Sequence, residues 1–129
     1  MSLAVAFNNQ LNKFIDELCK TYPEDKDFPY YGRLVNQLMK LNVRKPAELF
    51  SYYVREHVNE IYSRNSDFFL NNSDNIVKNN ATDAESQMEA FRLIGNLSKY
   101  WSEMTDDNRK VIWDYLIVLT KLSIQLVPS

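Results

Sequence analysis

Residues 105–126, TDDNRKVIWDYLIVLTKLSIQL, decide how the rest of the chain is read. Ile112, Tyr115, Leu119, Leu122 and Leu126 recur at intervals of three and four. That is the spacing of one face of an α-helix, and Val111, Leu116 and Val118 broaden it. Thr105 offers a side-chain oxygen to the free amides of the first turn. Asp106 and Asp107 put negative charge where the helix dipole favours it. Pro128 marks the end. So wide an apolar surface predicts a helix that is central to a bundle or is completed by a partner chain.

The same periodicity appears in four more places, and strand alternation appears nowhere. A first helix is predicted from about Ala4 to Lys20, with Phe7, Leu11, Phe14 and Leu18 at intervals of four, three and four, and Ile15 beside them. Tyr22-Pro23 stops it, because a residue before proline is pushed out of the helical region. After the charged connector Glu24–Asp27, Asp27 is the expected N-cap of a second helix, with Pro29 in its first turn. Tyr31, Leu34, Val35, Leu38 and Met39 form its face, and Asn42 is expected in the left-handed conformation at its end. A third helix is predicted from Pro46 to Tyr62, with the stripe Phe50, Val54, His57, Val58 and Ile61.

From Ser63 to Ala81 the pattern breaks. Three large apolar side chains in Asp67-Phe68-Phe69-Leu70 predict a loop pinned onto the body, since burying each contributes ~1.5–3 kcal/mol. Ile76-Val77 reads as a short turn. Thr82-Asp83-Ala84-Glu85 is a capping box, and Met88, Phe91, Ile94 (or Leu93), Leu97 and Trp101 continue a fourth helix from it. The expected architecture is one all-α domain over residues 1–129, a bundle of about five helices with one long aromatic-bearing loop.

Composition narrows the function classes. The 129 residues are 45% apolar and 25% charged, as in an ordinary globular chain, and the net charge of −2 predicts no bulk attraction to nucleic acid or acidic membrane. Two glycines exclude a Gly-rich phosphate loop, and one cysteine excludes a disulfide framework or a cysteine zinc site. The start of the chain lacks a basic stretch and reaches Asn8-Asn9 after five apolar residues, too short for a secretory signal. Residues 111–127 carry Asp114, Lys121 and Gln125 and fall short of a bilayer span. An intracellular, reduced location with no membrane partner is therefore expected, with Cys19 a free thiol. The Asn-x-Ser/Thr triplets at Asn71, Asn80 and Asn96 are expected by chance among fourteen asparagines.

Catalytic parts are few. His57, the one histidine, lies at helical spacing on the third helix's apolar face and reads as a helix-boundary residue. Glu56 and Glu60 stand at i, i+4 as in di-metal carboxylate bundles, but the Glu-x-x-His repeats of such bundles are missing. Neither enzymatic activity, a metal nor another cofactor is expected. Residues 40–64 carry five positive and three negative side chains, against one and five over residues 65–91. The cations Lys40, Arg44, Lys45, Arg55 and Arg64 are thus the candidates for a nucleic-acid or phosphate contact.

The seventeen aromatic residues are the unusual feature. Tyr30-Tyr31, Tyr52-Tyr53, Phe68-Phe69 and Tyr100-Trp101 are adjacent pairs. Helical neighbours point about 100° apart, so one member of a pair can enter the core while the other meets solvent. Aromatic residues at a surface anchor interfaces, which makes Tyr52, Tyr53, Phe68, Phe69, Tyr100 and Trp101 the predicted partner-binding residues.

Phe7-Asn8-Asn9-Gln10-Leu11, Asn42-Val43-Arg44-Lys45, Asp67-Phe68-Phe69-Leu70, Tyr100-Trp101 and Ile112-Trp113-Asp114-Tyr115-Leu116 together resemble a family of small helical proteins encoded by large double-stranded DNA viruses of algae and protists. The likeness follows most of the chain in order, with proline in the family where Val43 stands. It implies a virus-encoded protein of the host cytoplasm or nucleus and carries over no activity, cofactor or site residue. The expected function is a non-enzymatic interaction module, binding a protein partner or itself through aromatic helix faces. The alternative is nucleic-acid or phosphate binding through the basic residues.

Overall fold

The computed structural model describes residues 2–71 and 89–127. Among them every regular element is helical: α1 (Leu3–Thr21), α2 (Asp27–Leu41), α3 (Lys45–Val54), α4 (Val58–Tyr62), α5 (Asp67–Asn71), a 3₁₀ turn (Glu89–Arg92), α6 (Leu93–Trp101) and α7 (Asp106–Leu126). The all-α expectation holds, and the count of about five holds only roughly, because two predicted segments divide differently.

The caps explain most boundaries. Ser2 accepts from the amide of Val5 to open α1, and Thr105 accepts from the amide of Asn108 to open α7. Asp27 is the first residue of α2 and not its cap. Lys26 is the cap residue and makes no side-chain cap bond; Asp25, one residue before it, accepts from the Asp27 amide through Oδ1 at 2.9 Å. Asn42 is extended, not left-handed (φ −163°, ψ 125°), and its Oδ1 accepts from the Arg44 amide. The asparagine therefore ends α2 by an Asx turn that leads straight into α3.

The predicted third helix is two helices. His57 sits at φ −120°, ψ 12° between α3 and α4, a region sparsely used outside turns and sites. No proline or glycine causes the break. The change of direction lets α4 bury Ile61 and meet both α7 and α5, so tertiary packing overrides the local pattern. It also separates Glu56, in the turn, from Glu60, on α4, so the two do not share one helical face. Arg64 then takes the left-handed conformation (φ 56°) while the amides of Arg64 and Asn65 return to the carbonyls of Ile61 and Glu60. This is a Schellman close, made by an arginine where glycine is usual.

α5 falls inside the predicted loop and pins it, as the apolar knot requires. Phe69 stacks on Trp101 with centroids 4.2 Å apart and lies 5.1 Å from the ring of Trp113, while Phe68 packs against Phe69 and His57. Ser98 on α6 donates to the Phe69 carbonyl at 2.8 Å. The predicted turn at Ile76-Val77, the capping box at Thr82–Glu85, Met88 and Pro128 lie outside the described residues.

α1 and α7 run antiparallel down one side of the bundle: Phe14 stacks on Tyr115 with centroids 5.0 Å apart, and Gln10 and Lys13 share a cleft with Val118. α2 runs antiparallel to α1, since Asn12 reaches Met39, Gly32 lies against Ile15, and Tyr22 meets Phe28. α7 also covers α3 and α4, so it is central on its inner side. Asn96, the glycosylation-type asparagine on α6, is buried and donates to Asp27, which removes it as an acceptor of a glycan.

Phe69→Ala opens a cavity in the tightest part of the core. It is expected to lower stability by about 3–5 kcal/mol, read from the urea midpoint, whereas the exposed Tyr52→Ala should stay within about 0.5 kcal/mol.

Candidate interaction surface

α7 has two apolar faces, and only one is covered. Ile112, Leu116, Leu119 and Ser123 point into the core. Val111, Tyr115 and Val118, spaced by four and three, point along the seam with α1. Val111 and Val118 remain 44% and 40% exposed. Tyr115 is half-buried, with its ring on Phe14 and its hydroxyl pushed up, first by burial and then by Glu17 and Asp16. With Gln10, Lys13 and Asp114 these residues line an open cleft of about 320 Å³. A second cleft, lined by Glu17, Thr21, Tyr22 and Asn108 among others, continues the seam and shares Val111 with the first. The result is a groove with an apolar floor and charged rims.

The rim on α7 is electrostatically fixed. Asp114 accepts from Arg64 at 2.7 Å and from Lys110 at 3.0 Å. These bonds, that from Arg64 first, hold its carboxyl below the usual carboxylate range. Asp114 therefore stays ionised well into acid, and it ties the turn after α4 to the middle of α7.

The six aromatic anchors expected from the sequence are mostly interior. Phe68, Phe69 and Trp101 form the core cluster, and Tyr53 is buried, with its phenol pushed up by that burial. Phe68-Phe69 does not divide between core and surface because α5 is clasped between α4 and α6, leaving both rings inside. Trp101 is buried on α6, and Arg109 donates to its carbonyl oxygen through Nε at 2.9 Å, with the guanidinium over its ring. Tyr100 is half-buried: its ring stacks on Tyr22 at 4.2 Å and its hydroxyl donates to Asp25 at 2.5 Å. Of the six, Tyr52 alone is open to solvent, at 50%, with the Arg55 guanidinium 5.1 Å above its ring. Val111 and Val118, not among the six, are the exposed apolar residues of this cleft. Their signal was a stripe on residues 105–126 too wide for the neighbouring helices to cover.

The five basic candidates do not act as one cradle. Arg64 is paired with Asp114 and Arg55 lies on Tyr52, whereas Lys40, Arg44 and Lys45 stay together at the α2–α3 connector. His57 directs Nδ1 to Glu60 at 3.3 Å and its ring edge-on to Phe68, an arrangement that fixes the α3–α4 junction. The Cys19 thiol is pushed up by burial and by Asp16 and Asp25, which keeps it protonated and weakly nucleophilic at neutral pH. Among the described residues no group of three or more His, Cys, Asp or Glu is placed to hold a metal ion, and no helix is long and apolar enough to cross a membrane. Comparison of the chain with protein-family models, curated proteins and solved structures finds no match.

The Tyr100–Asp25 bond predicts alkaline behaviour. The bond to Asp25, then burial and the nearby negative charge, push the Tyr100 phenol up to about 12, against roughly 10 in an unfolded chain. Its neutral form donates the bond, so this contribution is complete below about pH 10 and is lost as pH rises toward 12. Tyr100→Phe should cost about 1 kcal/mol at neutral pH and make the alkaline fall in stability shallower, as followed by circular dichroism.

Proposed function

We propose that the protein is a non-enzymatic interaction module that seats an amphipathic helix, from a protein partner or a second copy of the chain, in the groove between α1 and α7. The observation that carries this reading is the run Val111, Tyr115 and Val118, two exposed valines flanking a half-buried tyrosine, on a helix whose adjoining face of Ile112, Leu116, Leu119 and Ser123 is buried. Covering each valine contributes about 1 kcal/mol at ~25 cal/mol per Å². Tyr115 supplies an amphipathic ring already held in place by Phe14, so little side-chain freedom is lost on docking. Lys13 and Glu17 on one wall and Asp114 on the other favour a partner helix with alternating charge at its margins. The resemblance of the sequence motifs to proteins of large DNA viruses supports an accessory role in an infected cell.

Light scattering over a range of concentrations, paired with capture from cell extract, tests the groove. The wild-type chain should self-associate or retain a specific protein. Val111→Asp combined with Val118→Asp should weaken that association at least tenfold, while the melting temperature falls by only a few degrees because both side chains are already partly exposed. A chain that stays monomeric and retains nothing, or association indifferent to the double substitution, would contradict the reading.

A further inference from the structure

Three separate stretches of chain meet at one pole of the bundle. The side-chain amide of Asn8 donates to the Val43 carbonyl at 2.9 Å, and the Arg44 guanidinium donates to the Leu126 carbonyl at 3.4 Å. The start of α1, the α2–α3 connector and the end of α7 are therefore neighbours. Residues 3–12, 36–47 and 120–127 contain no Asp or Glu, and they carry Lys40, Arg44, Lys45 and Lys121. The opposite pole, where α1 turns into α2 and α7 begins, is mixed but acid-rich, holding Glu24, Asp25, Asp27, Glu103, Asp106 and Asp107 against Lys20, Lys26, Arg109 and Lys110. A net charge of −2 hides this segregation.

The basic pole is also the most openly apolar part of the described surface. Leu41, the last residue of α2, is 75% exposed, and Val43 in the connector is 47% exposed. Val5 is exposed as well, one turn before Asn8 on α1. Exposure of this degree makes Leu41 a protruding tip, not the wall of a cleft. A phosphate or a nucleic-acid backbone would use the cations and leave Leu41 and Val43 in water. A partner helix would need a groove. A bilayer interface with acidic headgroups uses both features, since apolar tips enter the headgroup boundary while flanking cations sit at the phosphates.

We propose that this pole docks on an anionic lipid surface, with Leu41 and Val43 entering the interface and Lys40, Arg44 and Lys45 at headgroup level. The contact is peripheral. It uses no residue of the α1–α7 groove, so separate substitutions test the two surfaces independently.

The test is co-sedimentation of the full chain with vesicles. Vesicles of phosphatidylcholine with about one third phosphatidylserine should retain the protein at low salt, and pure phosphatidylcholine should not. Retention should drop at about 0.5 M salt, where charges are screened over a few ångströms. Leu41→Ser should weaken retention about tenfold. Lys40→Glu with Lys45→Glu should weaken it about 25-fold or more, roughly fivefold per cation. A carboxylate at position 45 suits the first turn of α3, and an unchanged circular-dichroism melt verifies that the fold persists. Val111→Asp with Val118→Asp should bind vesicles like the wild type. Failure of the wild type to bind acidic vesicles would overturn the proposal, as would retention indifferent to Leu41→Ser. Binding to a DNA duplex or an acidic peptide without vesicle binding would reassign the pole to charge contacts alone and overturn it equally.

Discussion

The ring of Phe14 lies on that of Tyr115, and that contact sets the register of α1 against α7 on which both surfaces of the molecule depend. In this register the two helices run antiparallel. The apolar stripe of α7 then divides between the core and the seam, leaving Val111 and Val118 at the margin. The same register brings the uncharged start of α1 to the end of α7, and the connector tied there by Asn8 and Arg44 completes the basic pole. A slip of one helical turn, about 5.4 Å, would bury a different set of side chains and separate these features.

A second organising element is the aromatic cluster of Phe68, Phe69, Trp101 and Trp113, which fastens α5 to the body. Large rings at short centroid distances contribute area and directional contact together. This is why a stretch without helical periodicity is nonetheless fixed in place. With Phe7, Phe14, Phe28, Tyr31, Phe50, Tyr53 and Phe91 also buried, the aromatic richness of the chain builds the interior more than the surface.

Much of this was legible in the residues. The long helices followed from spacing alone, since Phe7–Leu18 and Ile112–Leu126 tolerate no other period. Ser2 escaped notice as a cap, while Thr105 and the pinning of Phe68-Phe69 followed from local chemistry. The division at His57 was not legible, because nothing local interrupts the helix there; it answers to Phe68 and Ile61, which are distant or ambiguous in sequence. Asp27 was read as the cap of α2, but the helix starts one residue earlier than that reading allows, with Lys26 at the cap and Asp25 accepting from the Asp27 amide. The anchors Tyr53 and Trp101 were misread because adjacency shows that two rings point apart, not which neighbours cover them. The basic pole was hidden for a similar reason: its four cations lie up to eighty-one positions apart in the chain, and only the fold gathers them.

The register of α1 against α7 can be measured directly by nuclear Overhauser contacts between aromatic side chains. Strong cross-peaks are expected between the ring protons of Phe14 and Tyr115. Absence of the Phe14–Tyr115 contact, with Tyr22 instead touching residues near Leu126 and not those near Asn108, would show the helices paired the other way and would contradict both surfaces at once.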